Sequence, residues 1–335
     1  MFGVVAETVS HFGAMQAQDP AGVLWAVGLR TYGSTEASVE AALDAGELLR
    51  THVFRFTWQL VSPADLRWML ALVGPRLLAS AASWYAKTGL DARALKRAHA
   101  IIREVLVHAP ATRATLAKAL EDGGVATKGK LSLVLGEAEL TGLICSGPKR
   151  GKQATYALFE QRVPDMPPLT REDALRELGR RYLQSRGPAT ERDLAWWSGL
   201  PLGDVRQAMA AADELSQTRK PQAPGPSRAA AKVHLLPAFD EYLVGYADRS
   251  EQLDPALARR VNAGGGMLSP VVLIGGRVAG RWSRTLKPSG VQVVIEPFRE
   301  WTQSEATAVE RAASRYAEFL GGRKLELKVT SVLGT

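Results

Sequence analysis

Cysteine is almost absent from this chain of 335 residues, which contains Cys145 alone. A single cysteine excludes an intramolecular disulfide, a structural zinc site of the usual four-ligand kind and a cysteine-bound iron–sulfur cluster. The five histidines are scattered along the chain without the spacing of metal ligands. The sequence therefore predicts no metal and no other cofactor, and any chemistry has to come from other side chains.

Long apolar segments and early positive charges are also missing. No apolar run approaches the ~20 residues of a membrane-spanning helix. The first lysine or arginine is Arg30, so the N-terminus lacks the charged region of a signal peptide. With 46% hydrophobic and 23% charged residues, the composition is that of a globular protein rather than a disordered chain or a coiled coil. We therefore expect a soluble cytoplasmic protein with no membrane partner.

Positive charge is in excess, and the excess is uneven. The net charge is +8, with a pI near 9.7. Residues 1–90 hold six basic and seven acidic side chains, residues 91–160 hold eleven and seven, and residues 171–232 hold eleven and eight. The basic excess therefore lies mainly in the middle of the chain. It indicates a polyanionic partner, although a solubilising surface would explain the charge equally well.

Residues 91–160 have the pattern of three helices followed by a hairpin. Helices are predicted over 91–108, 113–121 and 130–140, and two β-prone runs at 143–145 and 155–159 flank a basic turn. This is the element order of a winged helix, in which the third helix and the wing face DNA. We therefore predict phosphate contacts by three residues at the tip of the wing, Lys149, Arg150 and Lys152.

A similar order recurs on both sides of this segment. Upstream, helices at 21–29 and 35–45 precede a hairpin at 48–54 and 57–61 and a helix at 63–73. Downstream, helices at 171–184, 191–198 and 202–212 precede a loop at 217–232, and from 233 onward the pattern is a hairpin, a strand and a closing helix at 303–320. The predicted fold is α+β, with three tandem winged-helix units and a β-containing C-terminal region. The predicted boundaries are 1–90, 91–165, 170–232 and 233–335.

Three segments of the chain resemble a known family. They are Gln-Ala-Gln-Asp at 16–19, Thr-Trp-Gln-Leu-Val with Pro-Ala-Asp-Leu at 57–66, and His-Leu-Leu-Pro-Ala-Phe-Asp-Glu-Tyr-Leu-Val-Gly-Tyr at 234–246. Over nearly its whole length the chain resembles the tandem winged-helix, AlkZ-like DNA glycosylases, which excise alkylated bases and unhook interstrand crosslinks. The resemblance implies that Gln16 and Gln18 are the catalytic pair at the lesion.

Further DNA contacts are predicted at two hairpins. In the first, Arg55 lies at the expected tip, and Thr57 and Gln59 follow in the strand, where relatives often carry Thr-x-His. In the tail hairpin, arginines alternate along the chain, and Arg281 is the predicted contact. All four residues are predicted to contact DNA.

The chemistry of a glutamine pair limits the lesions that it can serve. Hydrolysis of an N-glycosidic bond passes through an oxocarbenium-like sugar. A glutamine has no pKa near 7 and cannot act as an ordinary base, but its amide oxygen can orient water. An N7-alkylguanine is already positively charged and leaves as a neutral base, so it needs no strong acid. Schiff-base chemistry would require a lysine, and residues 1–90 contain only Lys87.

We therefore expect a monofunctional DNA glycosylase for cationic N7-alkylated purines, with interstrand crosslinks as a further substrate. It would act as a monomer on double-stranded DNA in the cytoplasm, associated with the nucleoid. Two alternatives stay open. A non-catalytic winged-helix regulator would be a dimer with a palindromic site and a sequence preference. A resistance protein would only sequester the adducts.

Overall fold

The computed structural model describes residues 1–217, 232–262, 264 and 266–331. The first 90 residues form α1 (Val5–Phe12), β1 (Ala14–Gln16), α2 (Pro20–Gly28), α3 (Glu36–Ala45), β2 (Leu49–His52), β3 (Trp58–Val61) and α4 (Pro63–Lys87). The middle forms α5 (Ala92–Leu106), β4 (Ala111–Thr112), α6 (Arg113–Asp122), α7 (Leu131–Leu140), β5 (Ile144–Arg150), β6 (Gln153–Leu158), α8 (Phe159–Arg162), α9 (Arg171–Arg186), α10 (Glu191–Ser198) and α11 (Leu202–Gln217). The tail forms β7 (Val233–Leu236), α12 (Glu241–Val244), α13 (Ala258–Val261), β8 (Val271–Ile274), β9 (Arg277–Lys287), β10 (Gly290–Pro297), α14 (Gln303–Phe319) and β11 (Leu325–Val329).

The chain divides into two compact units. The first unit comprises Met1–Thr8, Gln16–Glu40 and Glu214–Thr335, and the second comprises Val9–Met15 and Ala41–Asp213. Helices and sheets occur together in the chain, as predicted for an α+β protein. The arrangement as three tandem winged-helix units and the four predicted boundaries stay predictions.

Within the second unit, residues 92–158 have the winged-helix element order. The order is α5, β4, α6, α7, β5 and β6, and the antiparallel sheet has the strand order β4-β6-β5. Helix α6 begins where Thr112 accepts a hydrogen bond from the Thr115 N–H, which is the N-cap that its sequence predicts. The core of this segment is apolar and fully buried, with Ile102, Leu116 and Val134 at 0% exposure.

The third helix of this segment, α7, does not face outward. Every residue from Leu133 to Leu140 is buried, and the helix packs against α4, α5, β2 and β5. Its two acidic side chains bond to histidines, Glu137 to His99 and Glu139 to His52, each at 2.5 Å. The prediction that this helix faces DNA is therefore wrong, because apolar residues surround it on several sides and bury it. The wing, in contrast, is exposed.

Helix α4 is longer than the sequence predicts. It ends at Lys87 rather than near Val73, and it continues through Pro75. A proline inside a helix removes one backbone hydrogen bond and usually bends or ends the helix. The helix continues because Leu77 and Leu78, one turn later, pack against the apolar core of the second unit.

The remaining helices of the second unit follow the predicted order closely. Helix α10 has the predicted bounds and begins at a capping box between Thr190 and Asp193. Helices α9 and α11 extend a few residues beyond their predicted ends. The loop predicted at 217–232 lies almost entirely outside the described residues.

The first unit contains a sheet with the strand order β11-β10-β9-β8-β7. Strands β7 to β10 are antiparallel, and β11 runs parallel to β10. Helix α14 packs against β7, β11 and α2. Gly28 at the end of α2 allows a close approach, since a Cβ there would lie 2.5 Å from the Phe319 ring. Across the described ranges, no helix has the length and apolar character to cross a membrane.

Candidate functional site

The glutamine segment lies at the junction of β1 and α2. Gln16 is the last residue of β1, and Gln18 directly precedes Asp19, the N-cap of α2, whose side chain accepts a hydrogen bond from the Ala21 N–H at 3.2 Å. Gln16 is 9% exposed and Ala17 is fully buried, whereas Gln18 is exposed. Gln18 is therefore the glutamine that a ligand from solvent can reach directly.

A segment of the tail contacts the glutamine segment within the first unit. Glu241 Oε1 accepts a hydrogen bond from the Gln16 N–H at 2.6 Å, and the Glu241 side chain is buried at 2% exposure. Glu241 is the first residue of α12, and Asp240 is its N-cap, accepting from the Tyr242 N–H at 2.9 Å. Two of the segments that carry the family resemblance thus meet, although they are 225 residues apart.

An ion pair between the partly buried Arg30, just after α2, and the buried Asp240 joins this part of the chain to the same tail segment. Arg30 donates to both carboxylate oxygens of Asp240, at 2.9 and 2.7 Å, and also to the Ala26 carbonyl oxygen. Burial opposes the charged guanidinium, but the Asp240 and Glu241 carboxylates outweigh burial and raise the pKa of Arg30. Trp25 adds a hydrogen bond from Nε1 to the Leu235 carbonyl oxygen at 2.7 Å. Helix α2 and the residues directly after it are thereby held against the tail segment.

In the second unit, the side chain of Gln59 is buried without a partner. Gln59 lies on β3 opposite Thr51 and is 1% exposed. Neither its amide oxygen nor its amide nitrogen makes a hydrogen bond with the residues that the structure describes. Leaving such a group unpaired costs about 1–3 kcal/mol, so an unpaired buried amide is uncommon in native proteins. At this burial, the predicted DNA contact of Gln59 requires a bound water or a local opening.

We expect Gln59→Met to raise stability while weakening binding to lesion-containing DNA. Methionine fills a similar volume without a polar group, so removing the unpaired amide should stabilise the fold by about 1–3 kcal/mol. Thermal melting and DNA titration measure the two effects. The matched control is Gln207→Met on the exposed face of α11. A lower melting temperature would mean that the amide has a partner within the protein, and unchanged affinity would place Gln59 outside the DNA interface.

The other predicted residues of the first hairpin lie between β2 and β3. Arg55 has a left-handed backbone with φ of 56°, and its guanidinium lies 5.7 Å from the centre of the Trp196 ring. Thr57 donates from its hydroxyl to the Phe54 carbonyl oxygen at 3.0 Å. Both side chains are partly exposed. Their contacts with DNA stay predictions.

The wing between β5 and β6 carries its basic residues in exposed positions. Lys149, Arg150 and Lys152 are all exposed, and Gly151 closes the turn with φ of 61°. One backbone contact and one side-chain contact fix the wing to neighbouring residues. The Lys149 N–H donates to Asp44 at 2.7 Å, and the Arg150 guanidinium donates to the Pro110 carbonyl oxygen at 3.0 Å.

Replacing all three basic wing residues with alanine should weaken binding to any duplex. Each phosphate contact releases condensed counterions, so the salt dependence of binding should fall by up to ~3 charges. The measurement is the slope of log K against log salt concentration for an unmodified duplex.

The matched control removes the same charge from the first helix of the same segment. It replaces three exposed residues of α5 with alanine, Arg93, Lys96 and Arg97. We expect this control to change the slope much less. Equal slopes for wild type and the wing variant would mean that the wing points away from DNA.

Arg281, the predicted contact in the tail hairpin, is already engaged within the first unit. Its guanidinium bonds to Glu296 at 2.5 Å and to the Arg260 carbonyl oxygen at 3.2 Å. A phosphate at this position would have to compete with the Glu296 carboxylate. The DNA contact of Arg281 stays a prediction.

The predicted residues are thus divided between the two units. The first unit holds Gln16, Gln18 and Arg281, and the second holds the other predicted DNA contacts. Sequence reasoning missed Glu241 as a neighbour of the glutamines; the only available signal was its position in the tail segment. Within the described ranges, no three acidic, histidine or cysteine side chains cluster as metal ligands would.

Comparison with known proteins identifies the family of this chain. The family described as "DNA glycosylase AlkZ-like" matches residues 9–319. The chain is 25% identical to an interstrand DNA cross-link repair glycosylase of Streptomyces sahachiroi, over 90% of this chain and 87% of that protein. The solved structure of the Streptomyces sahachiroi DNA glycosylase AlkZ has the same fold, with a TM-score of 0.77 and 23% identity over 98% of this chain and 94% of that one. The chain therefore belongs to the AlkZ-like family of DNA glycosylases, enzymes that hydrolyse N-glycosyl bonds in DNA.

Proposed function

We propose that this DNA glycosylase excises cationic N7-alkylated purines and unhooks interstrand crosslinks formed through such bases. The observation that carries the proposal is the exposed side chain of Gln18, which follows the buried Ala17 and lies two residues after the buried Gln16. A neutral amide can orient the attacking water and stabilise positive charge on the sugar, but it cannot protonate a leaving base. Such a site suits a base that already carries a positive charge.

The proposed reaction stops at the abasic site. A lyase step would need a lysine to form a Schiff base with the sugar. The first unit's glutamine segment, residues 16–19, contains none, and Lys87 at the end of α4 belongs to the second unit. We therefore propose a monofunctional enzyme, acting as a monomer on double-stranded DNA in the cytoplasm.

The alternative function, a sequence-specific regulator, is not favoured. A winged-helix regulator reads bases with an exposed third helix. Helix α7 is instead buried from Leu133 to Leu140 and carries two acidic side chains that bond to histidines. The exposed basic part of this segment is the wing, which suits phosphate contacts without sequence preference.

We expect the enzyme to accept bulky adducts, because the exposed Gln18 indicates an open site rather than a closed pocket. Base-flipping enzymes rotate the target nucleotide into a closed pocket. A base that is crosslinked to the opposite strand cannot make this rotation freely. Excision of a large N7-guanine adduct should therefore proceed within about tenfold of N7-methylguanine, which corresponds to ~1.4 kcal/mol in the barrier. Single-turnover rates on the two duplexes measure the ratio. Strict selectivity for the methyl lesion would contradict an open site.

The experiment that tests the proposal uses a duplex with a single N7-methylguanine. After incubation with the protein, alkali cleaves the strand wherever a base has been removed. We expect cleavage at the lesion after alkali and an intact strand before it, because the enzyme leaves an abasic site without a lyase step. An intact strand after alkali would contradict the proposed substrate, and cleavage before alkali would contradict the monofunctional mechanism.

A further inference from the structure

The Glu241 carboxylate is buried directly against the main chain of the proposed catalytic segment. Its Oε1 lies 2.6 Å from the Gln16 nitrogen, and the side chain is 2% exposed. Withdrawing a carboxylate from water costs several kcal/mol, which its contacts have to offset. A neutral amide of the same size could still accept the Gln16 N–H, although more weakly than a carboxylate does.

Two buried carboxylates, those of Asp240 and Glu241, lie near one arginine. Arg30 is bidentate to Asp240, and it also interacts electrostatically with Glu241. One guanidinium thus faces two carboxylates. In the interior of a protein such a charge is screened much less than at the surface, so its field extends to neighbouring groups.

We infer that Glu241 is a positioning residue of the glutamine site, acting through Gln16. Its carboxylate fixes the main chain at Gln16 and adds negative charge beside the position where the sugar becomes positively charged during hydrolysis. Preorganised charge of this kind stabilises a transition state more than a ground state. This inference rests on the proposed function, since it assumes that Gln16 and Gln18 act on the sugar of a lesion.

The test removes the negative charge of Glu241 while keeping the shape of its side chain. Glu241→Gln retains an acceptor oxygen for the Gln16 N–H and removes the negative charge. We expect its single-turnover excision of N7-methylguanine to be about tenfold slower than that of wild type. Binding to the lesion duplex and the melting temperature should be nearly unchanged. The control, Glu251→Gln, removes an exposed carboxylate from the same unit and should keep the wild-type rate.

If Glu241→Gln is less stable than wild type, a second variant separates the effect of the charge from the effect on stability. Glu241→Asp retains the charge and shortens the side chain. A rate closer to wild type than that of Glu241→Gln supports the role of the charge, and a rate equal to or below it overturns the inference.

The possible failures are distinguishable. If wild type excises the lesion and Glu241→Gln does so at the same rate, the carboxylate is purely structural and the inference is overturned, while the proposed function stands. If wild type leaves N7-methylguanine in place, the proposed function itself fails, and the inference fails with it.

Discussion

Gln18→Ala should slow excision of N7-methylguanine by on the order of 10²-fold, the scale for losing one positioned catalytic group. Gln18 is exposed between the buried Ala17 and the N-cap residue Asp19, so its amide is available to the attacking water. Alanine removes that amide and leaves both neighbours in place. Affinity for the lesion duplex should stay nearly unchanged, because we expect phosphate contacts elsewhere to dominate binding.

Single-turnover kinetics and a DNA titration separate these two effects. Gln303→Ala, at the exposed start of α14 in the same unit, is the matched control and should excise at the wild-type rate. A wild-type excision rate in Gln18→Ala would remove Gln18 from the mechanism. A parallel loss of rate and affinity would make Gln18 a binding residue instead.

Asp240→Ala should destabilise the protein by about 2–3 kcal/mol, because removing one partner of a fully buried ion pair costs about 3–5 kcal/mol and water can solvate part of the Arg30 side chain. Asp240 is 2% exposed, accepts two hydrogen bonds from Arg30 and caps α12 through the Tyr242 N–H. Its loss leaves the Arg30 guanidinium, largely buried, without its bidentate acceptor. Denaturant unfolding of wild type and variant measures the difference.

The control for this prediction is an exposed capping aspartate in the same unit. Asp254 accepts a hydrogen bond from the Ala256 N–H and is exposed, so Asp254→Ala should cost about 1 kcal/mol. A cost for Asp240→Ala no greater than that of the control would show that the ion pair contributes little. The joining of α2 to the tail segment would then depend on apolar packing instead.

Local sequence signals predicted most elements of the fold. The sequence predicts a helix at 191–198, which are the observed bounds of α10, and a hairpin in the tail, which β8 and β9 form. The features that the local signals did not predict depend on tertiary contacts. Helix α4 continues past its predicted end at residue 73 because later residues pack against the core. The order of elements predicts a DNA-facing third helix but does not reveal that α7 is buried on several sides.

The candidate site was predictable only in part. The glutamine pair came from a short segment, and its significance came from the family resemblance. The bond between Gln16 and Glu241 joins residues 225 positions apart, and no local pattern encodes such a contact. The unpaired amide of Gln59 was likewise invisible, because burial and hydrogen bonding depend on the packing of the whole unit.

The central claim is that a neutral amide site serves lesions that already carry a positive charge. The most direct measurement compares excision from two duplexes of identical sequence, one with N7-methylguanine and one with hypoxanthine at the same position. Hypoxanthine is uncharged and needs protonation to leave. We predict alkali-labile cleavage at N7-methylguanine and none above background at hypoxanthine. Comparable excision of both bases would contradict the account, because it would require a general acid that neither Gln16 nor Gln18 can supply.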